Sequence, residues 1–236
     1  MRKILALFIA GLYSSITLAQ DVNPFKLKAG DPAPQVIIDQ WLKGSADVNL
    51  SDGRTHVVEF WATWCGPCIQ AMPHLPSLAQ KYKQIPIISI TASESYDNVN
   101  LPKKFVERSG KMMDDAVGYA KPGLIADNWI RPLYNPRIPV AFVINSDGKV
   151  GWIGHPLMGL EEAMKLSVEG KLNAHSGAGI DSVWAARKKA AKLMNKDFKK
   201  MLNSKNFEGA LGLNDKFLES IPYDMDIYIS DGNMHF

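Results

Sequence analysis

Apolar and polar positions along the chain switch between two periods. Residues 35–42 alternate apolar and polar and predict a strand. Val57 to Ala62 is a short unbroken apolar run with β-branched and aromatic side chains, so a buried strand is predicted there. From Gly66 to Tyr82 the period lengthens. Ile69, Met72, Leu75, Leu78, Ala79 and Tyr82 recur at helical spacing, and Pro73 within the run predicts a kink. Ile85 to Thr91 reads as a second buried strand. Asn98 to Ser109 and Leu124 to Leu133 read as helices, and Ile138 to Asn145 as a third buried strand. Ser146-Asp147-Gly148 turns that strand into Lys149 to Ile153, a hairpin, and Leu160 to Val168 is an amphipathic helix. Strands alternating with helices predict an α/β domain built on a central sheet, spanning about residues 31–172.

Beyond that domain the pattern changes. Residues 173–180 are small and polar and predict a linker. Residues 181–236 carry two apolar stripes at helical spacing. Trp184, Ala191, Met194, Phe198 and Met201 form the first, and Phe207, Ala210, Leu211, Phe217, Leu218 and Ile221 the second. Eight Lys or Arg against two Asp lie between Asp181 and Lys205, while six acids and one Lys lie between Asn206 and Phe236. A basic helix followed by an acidic one predicts a helical hairpin. A basic amphipathic helix also suits a membrane surface, but an acidic neighbour favours packing within the hairpin.

At the other end, Arg2 and Lys3 precede the apolar run Ile4 to Leu12, and small residues at Thr17-Leu18-Ala19 suit cleavage. Residues 1–19 therefore read as a secretory signal peptide, and residues 20–30 as a linker. The polar residues Tyr13, Ser14 and Ser15 argue against a spanning helix, which needs about 20 apolar residues. An exported protein in an oxidising compartment is expected, most simply the periplasm of a Gram-negative bacterium. Hydrophobic residues make up 46% of the chain and its net charge is +3, too little to point to nucleic acid.

The chain has two cysteines, Cys65 and Cys68, at the end of the buried strand and the start of the helix. As a structural disulfide they would close a loop of about four residues, worth only about 2 kcal/mol on the chain-entropy model. Zinc needs four ligands, and the five histidines supply no closely spaced pair. No metal or other cofactor is expected. A redox role explains the position as well as the spacing. Free backbone N–H groups at the helix start favour a thiolate at Cys65, the expected nucleophile. Cys68, one turn on and shielded, is the resolving thiol. Pro67 restricts the loop, and Gly66 lets a substrate chain approach closely.

The segment Trp61-Ala62-Thr63-Trp64-Cys65-Gly66-Pro67-Cys68 resembles the thioredoxin superfamily, and more closely its exported TlpA/ResA/DsbE-like branch. Gly30-Asp31-Pro32-Ala33-Pro34, Met72-Pro73, and Ile138-Pro139-Val140-Ala141-Phe142-Val143-Ile144 through Asp147-Gly148 are similar to further segments of that branch. Asn145 stands where the branch usually has an acid. The resemblance covers roughly Gly30 to Gly170 and leaves out the C-terminal hairpin. It implies a thioredoxin-like fold, a central mixed sheet flanked by helices, here with a C-terminal helical extension. It implies a cis-proline at Pro139, with Ile138 offering backbone hydrogen bonds to substrate and Trp64 on the rim with Gly66 and Pro67. It also places Glu59 below the cysteine pair, as a buried carboxylate that accepts the Cys68 proton. Residues 97–137 fall where the branch carries a strand–helix insertion.

The expected activity is thiol–disulfide exchange on exported protein substrates, of the disulfide reductase or isomerase class. The Gly-Pro dipeptide is that of thioredoxin, a strong reductant at about −270 mV. A reducing role outside the cytosol needs an electron donor, expected to be a membrane thiol carrier. Two alternatives stand beside it: a thiol peroxidase with antioxidant function, and a metal-delivery or chaperone-type binding module. The peroxidase pattern Thr-x-x-Cys is not met, because Thr63 precedes Cys65 by two residues. Trp152 and His155 follow a strand and are weaker candidates for substrate contact, and His74 reads as a helix-surface histidine.

Overall fold

The computed structural model describes residues 27–219 apart from 93, 95 and 96. The signal-peptide and end-of-tail readings lie outside the described residues. Six strands form one mixed sheet: β1 (Gln40–Lys43), β2 (His56–Trp61), β3 (Ile87–Thr91), β4 (Ala116–Tyr119), β5 (Val140–Ile144) and β6 (Val150–Gly154). Their spatial order is β1-β4-β3-β2-β5-β6. β2, β3 and β4 run parallel, while β1, β5 and β6 pair antiparallel with their neighbours. Seven α-helices accompany them among the described residues: α1 (Gly66–Ala71), α2 (His74–Lys81), α3 (Asn100–Ser109), α4 (Leu124–Trp129), α5 (Leu160–Val168), α6 (Ala174–Asn203) and α7 (Phe207–Glu219).

The central strands are buried on both faces, which is why they read as unbroken apolar runs. Val58, Phe60, Ile88, Ile90, Phe142 and Ile144 pack on one face with Trp129 of α4. Trp129, Phe60 and Phe142 interlock, with ring centroids 4.9 to 5.8 Å apart. Val57, Ile87, Ala141 and Val143 face the other way, against Leu75 and Leu78 of α2, Leu160 and Met164 of α5, and Ile180 of α6. A third cluster closes the carboxyl end of β2: Trp61, Ala62, Cys65, Cys68, Met72, Val106, Met113 and Val117.

The sequence pattern locates most of these elements but misses three features. Residues 35–39 do not join the sheet ladder over their full length. Val36 is buried and the Gln35 carbonyl accepts the Trp129 indole N–H at 3.1 Å, so that stretch packs as extended chain. β4 lies within the segment where the resemblance implies a strand–helix insertion, but the apolar pattern does not locate it, since its four residues include Gly118 and make a poor apolar run. Glycine leaves room there for Ile38, whose Cδ1 would lie 2.5 Å from an added Cβ and would have to move.

The third difference corrects the expected linker. Residues 174–180 are the first two turns of the 30-residue helix α6. The small polar residues are helix-start chemistry. The Asn173 side chain accepts from the N–H groups of His175 and Ser176, and Ser176 Oγ accepts from the Asn173 N–H, a complete capping box. Gly177 lets the helix approach β6, since a Cβ there would meet the Gly151 carbonyl at 3.3 Å. The Trp152 indole N–H donates to Asp181 at 3.0 Å. α6 therefore begins as part of the sheet's cover, and α7 folds back on it after Ser204 to Asn206.

Candidate active site

β2 delivers the chain into the site. After Trp61 the backbone turns through Ala62 and Thr63, and Cys65 caps α1 in an extended conformation, φ −87° and ψ 97°. Its Sγ accepts the backbone N–H of Cys68 at 3.2 Å, and its carbonyl accepts those of Cys68 and Ile69 at 3.1 and 3.2 Å. Pro67 occupies the first turn, where the missing N–H costs no helical bond. Cys65 and Cys68 are joined as a disulfide, with their Cα atoms 5.2 Å apart. The kink falls where predicted: α1 ends at Ala71 and α2 starts at His74, with Met72 and Pro73 between them still in the right-handed helical region.

Cys65 is more enclosed than the sequence suggests. It is 4% exposed and Cys68 1%, because Trp61, Ala62, Met72 and Ile138 pack around the pair. The exposed surface of this turn belongs to Trp64, at 59%, with Gly66 and Pro67. Ile138 lies half-buried against the cysteine cluster, and the Ile138–Pro139 peptide is cis. Pro139 also forms part of the wall of a cleft of about 310 Å³ bounded by Tyr134, Ile153 and Asp181.

Glu59 shares the β2 face of Val57 and Trp61, the face on which the cysteine cluster packs, and is 3% exposed. Burial pushes its carboxyl well above the ordinary 4.5, the charge of Asp115 adds to this, and a hydrogen bond with Ser89 opposes it. Ser89 is the β3 register partner of Glu59. Its hydroxyl donates to Asp115 Oδ2 at 2.5 Å, and Asp115 is likewise raised, chiefly by burial.

A second buried carboxylate, Glu94, braces the turn from the side. It accepts the Thr63 N–H and the Thr63 hydroxyl, each at 2.8 Å, and the Thr91 hydroxyl at 3.0 Å. Sequence reasoning missed Ser89, Glu94 and Asp115. The available signal was polar Ser89 and Thr91 at alternate positions of an otherwise apolar strand. Other candidates lie elsewhere. His74 is half-buried on α2, where burial lowers its pKa. Trp152 is core, packed against α6. His155 is half-buried, and burial, with the charges of Arg137 and Lys188, lowers its pKa to about 4. No group of three metal-ligating side chains occurs among the described residues.

Comparison with known proteins agrees with this geometry. The Thioredoxin family model matches residues 43–122. The chain is 32% identical over 155 residues to thiol–disulfide oxidoreductase ResA of Bacillus thuringiensis, covering 63% of this chain and 83% of the relative. It is 27% identical over 154 residues to Protein FixW of Rhizobium leguminosarum, covering 63% and 69%. Among solved structures, a putative thiol:disulfide interchange protein DsbE from Chlorobium tepidum aligns with TM-score 0.49 at 22% identity, over 63% of this chain and all of that one. A buried Cys-x-x-Cys disulfide at the end of a central strand of a thioredoxin-like sheet defines a thiol–disulfide oxidoreductase. Within that class, the chain belongs to the ResA family.

Proposed function

We propose that the protein is an exported disulfide reductant that acts on protein disulfides through Cys65 and Cys68. The reading is carried by one observation: Cys65 Sγ caps α1 and receives the Cys68 N–H at 3.2 Å. In the reduced protein that donor favours a thiolate at Cys65. The Cys65 thiolate attacks one sulfur of the target disulfide, and the other leaves as a thiolate that takes a proton from water. The Cys68 thiol then gives its proton to Glu59 and attacks Cys65 Sγ. The mixed disulfide breaks, the second target sulfur leaves reduced, and Cys65–Cys68 is oxidised.

Trp64, Gly66 and Pro67 form the rim against which the target chain lies, and Ile138 and Pro139 close it on the other side. The Gly66-Pro67 dipeptide and the ResA relationship support the reducing direction. A membrane thiol carrier would regenerate the dithiol, and the signal-peptide character of residues 1–19 supports export to the periplasm. No helix among the described residues is long and apolar enough to cross a membrane.

The experiment is covalent trapping. Cys68→Ala, reduced and mixed with periplasmic extract, is expected to accumulate mixed disulfides that mass spectrometry assigns to Cys65. Wild type is expected to reduce insulin when supplied with a dithiol. Absence of both the trapped species and insulin reduction would overturn the reading.

A further inference from the structure

We propose that the outward face of α6 is a docking surface for an anionic lipid bilayer, met by a row of six lysines: Lys188, Lys189, Lys192, Lys196, Lys199 and Lys200.

The row follows from helix geometry. At 3.6 residues per turn these six positions fall within about 120° of the helix circumference, and they span about 18 Å along its axis. All six are exposed. The opposite side of α6 carries Ile180, Trp184, Ala191 and Met194. Ile180 and Trp184 join the core cluster that covers the sheet, and Ala191 and Met194 are buried. The apolar side of α6 is thus used up in packing, while the lysine side meets solvent.

The positive charge of the protein is concentrated here. α6 carries seven Lys or Arg and two Asp, a larger surplus than the +3 of the whole chain. The second helix of the hairpin does not neutralise it. Glu208 and Asp215 of α7 are exposed, and none of the six lysines forms an ion pair among the described residues. The acidic neighbour expected from the sequence therefore packs on α6 without covering its charge.

The chemistry of the row selects a bilayer over an acidic protein. Every cation in it is Lys, a hydrated point charge on a flexible stem, and not Arg, which grips a carboxylate by two bonds. The one Arg of α6, Arg187, is turned the other way, 4.9 Å over the Trp184 ring and 3.7 Å from Glu162. Protein interfaces are depleted in Lys. Anionic headgroups instead present charge as a continuous plane, which a straight row can meet at every position at once, and clusters of about four to eight Lys or Arg suit such contact. The large apolar side chain bordering the row is Leu193, 57% exposed. With so little apolar surface, α6 lies on the headgroups and does not sink into the acyl boundary. Adsorption would concentrate the protein beside the membrane thiol carrier proposed above, but docking does not depend on that carrier.

Vesicle flotation of the full protein, purified after export, tests this at pH 7 and about 0.1 M salt. One set of vesicles mixes phosphatidylglycerol with phosphatidylcholine, and the other is phosphatidylcholine alone. The protein is expected to float with the anionic vesicles, to stay behind with the neutral ones, and to be released toward about 1 M salt. Lys192→Gln/Lys196→Gln/Lys200→Gln should bind roughly a hundredfold more weakly with an unchanged unfolding midpoint. Lys83→Gln/Lys121→Gln/Lys165→Gln removes the same charge from scattered exposed positions and should bind within about threefold of wild type. Equal loss in both variants would reduce the effect to net charge and overturn the row as a site. Equal flotation with neutral vesicles, or none with anionic ones, would refute the bilayer as occupant, the second result leaving an acidic protein as its rival.

Discussion

Glu94 holds Thr63 by two atoms, accepting its backbone N–H and its hydroxyl at 2.8 Å each. Thr63 precedes Cys65 by two residues, so this grip sets where the cysteine turn leaves β2. A buried carboxylate with three donors aimed at it is costly to replace, because its partners are left unmatched. Glu94→Ala should destabilise the oxidised protein by about 2–4 kcal/mol in urea unfolding. Glu94→Gln, which keeps one acceptor oxygen, should lose about half as much. An unchanged unfolding midpoint in Glu94→Ala would show that the turn holds without the clamp.

Glu59 makes stability depend on pH. Its folded carboxyl lies well above the ordinary 4.5 because it is buried. The folded state therefore binds more protons than the unfolded state above pH 4.5. Stability is fully present below that value and is lost as pH rises toward the folded pKa. Glu59→Gln removes this loss. It should be more stable than wild type at pH 8, and the two should converge near pH 4. Parallel denaturation curves with a constant difference at both pH values would contradict the assignment.

His155 has the opposite sign. Its pKa falls from 6.5 to about 4, and its Nδ1 accepts the Leu157 N–H at 3.2 Å. The unfolded state takes up the proton first on acidification, so stability present above pH 6.5 is lost as pH falls toward 4. His155→Asn keeps an acceptor for Leu157 but does not titrate. Its stability relative to wild type should improve by about 1–3 kcal/mol between pH 7.5 and 4.5, as calorimetry or urea titration would register.

The paired burial of Ile180 and Trp152 bears on the C-terminal helices. Both belong to the cluster that includes Leu160 and Met164, and Asp181 accepts the Trp152 indole N–H. Removing residues 176–236 would uncover this face, whereas stopping after residue 186 keeps the cap, Ile180 and Asp181. The shorter deletion should preserve a cooperative unfolding transition, and the longer one should lower stability by at least the 2–5 kcal/mol or so of a large-to-small core change. Equal stability of the two truncated proteins would show that α6 adds nothing to the core.

The site was legible where its chemistry is local. Cys65, Gly66, Pro67 and Cys68 sit within one turn of a helix whose start follows from the end of the apolar run at Ala62. Glu94 and Asp115 reach the site from segments with no periodic signal, one just past β3 and the other before a four-residue strand. Their significance lies in strand register, which pairs Glu59 with Ser89 and which a single sequence does not encode locally. The linker reading of residues 173–180 failed for a related reason. Asn173, Ser176 and Gly177 are turn formers in isolation and helix-start residues once a sheet face lies beside them.

The order of the two thiols is the sharpest test of the mechanism. In the oxidised protein both sulfurs are nearly buried, so exposure alone does not separate them. Hydrogen bonding does: the Cys68 N–H points at Cys65 Sγ, while Cys68 lies inside the cluster of Trp61, Met72 and Val106. On reduction the Cys65 thiolate keeps a donor at the start of α1, and the Cys68 thiol is held in apolar surroundings that disfavour its charge. Iodoacetamide should label Cys65 first at pH 7. Cys65→Ser should abolish exchange and trap almost nothing. Cys68→Ala should still attack and then stall as a mixed disulfide, because no sulfur is left to resolve it. Peptide mapping after brief alkylation gives the labelling order directly. Faster alkylation of Cys68, or a better trap from Cys65→Ser, would reverse the assignment and make the residue at the helix start the resolving thiol.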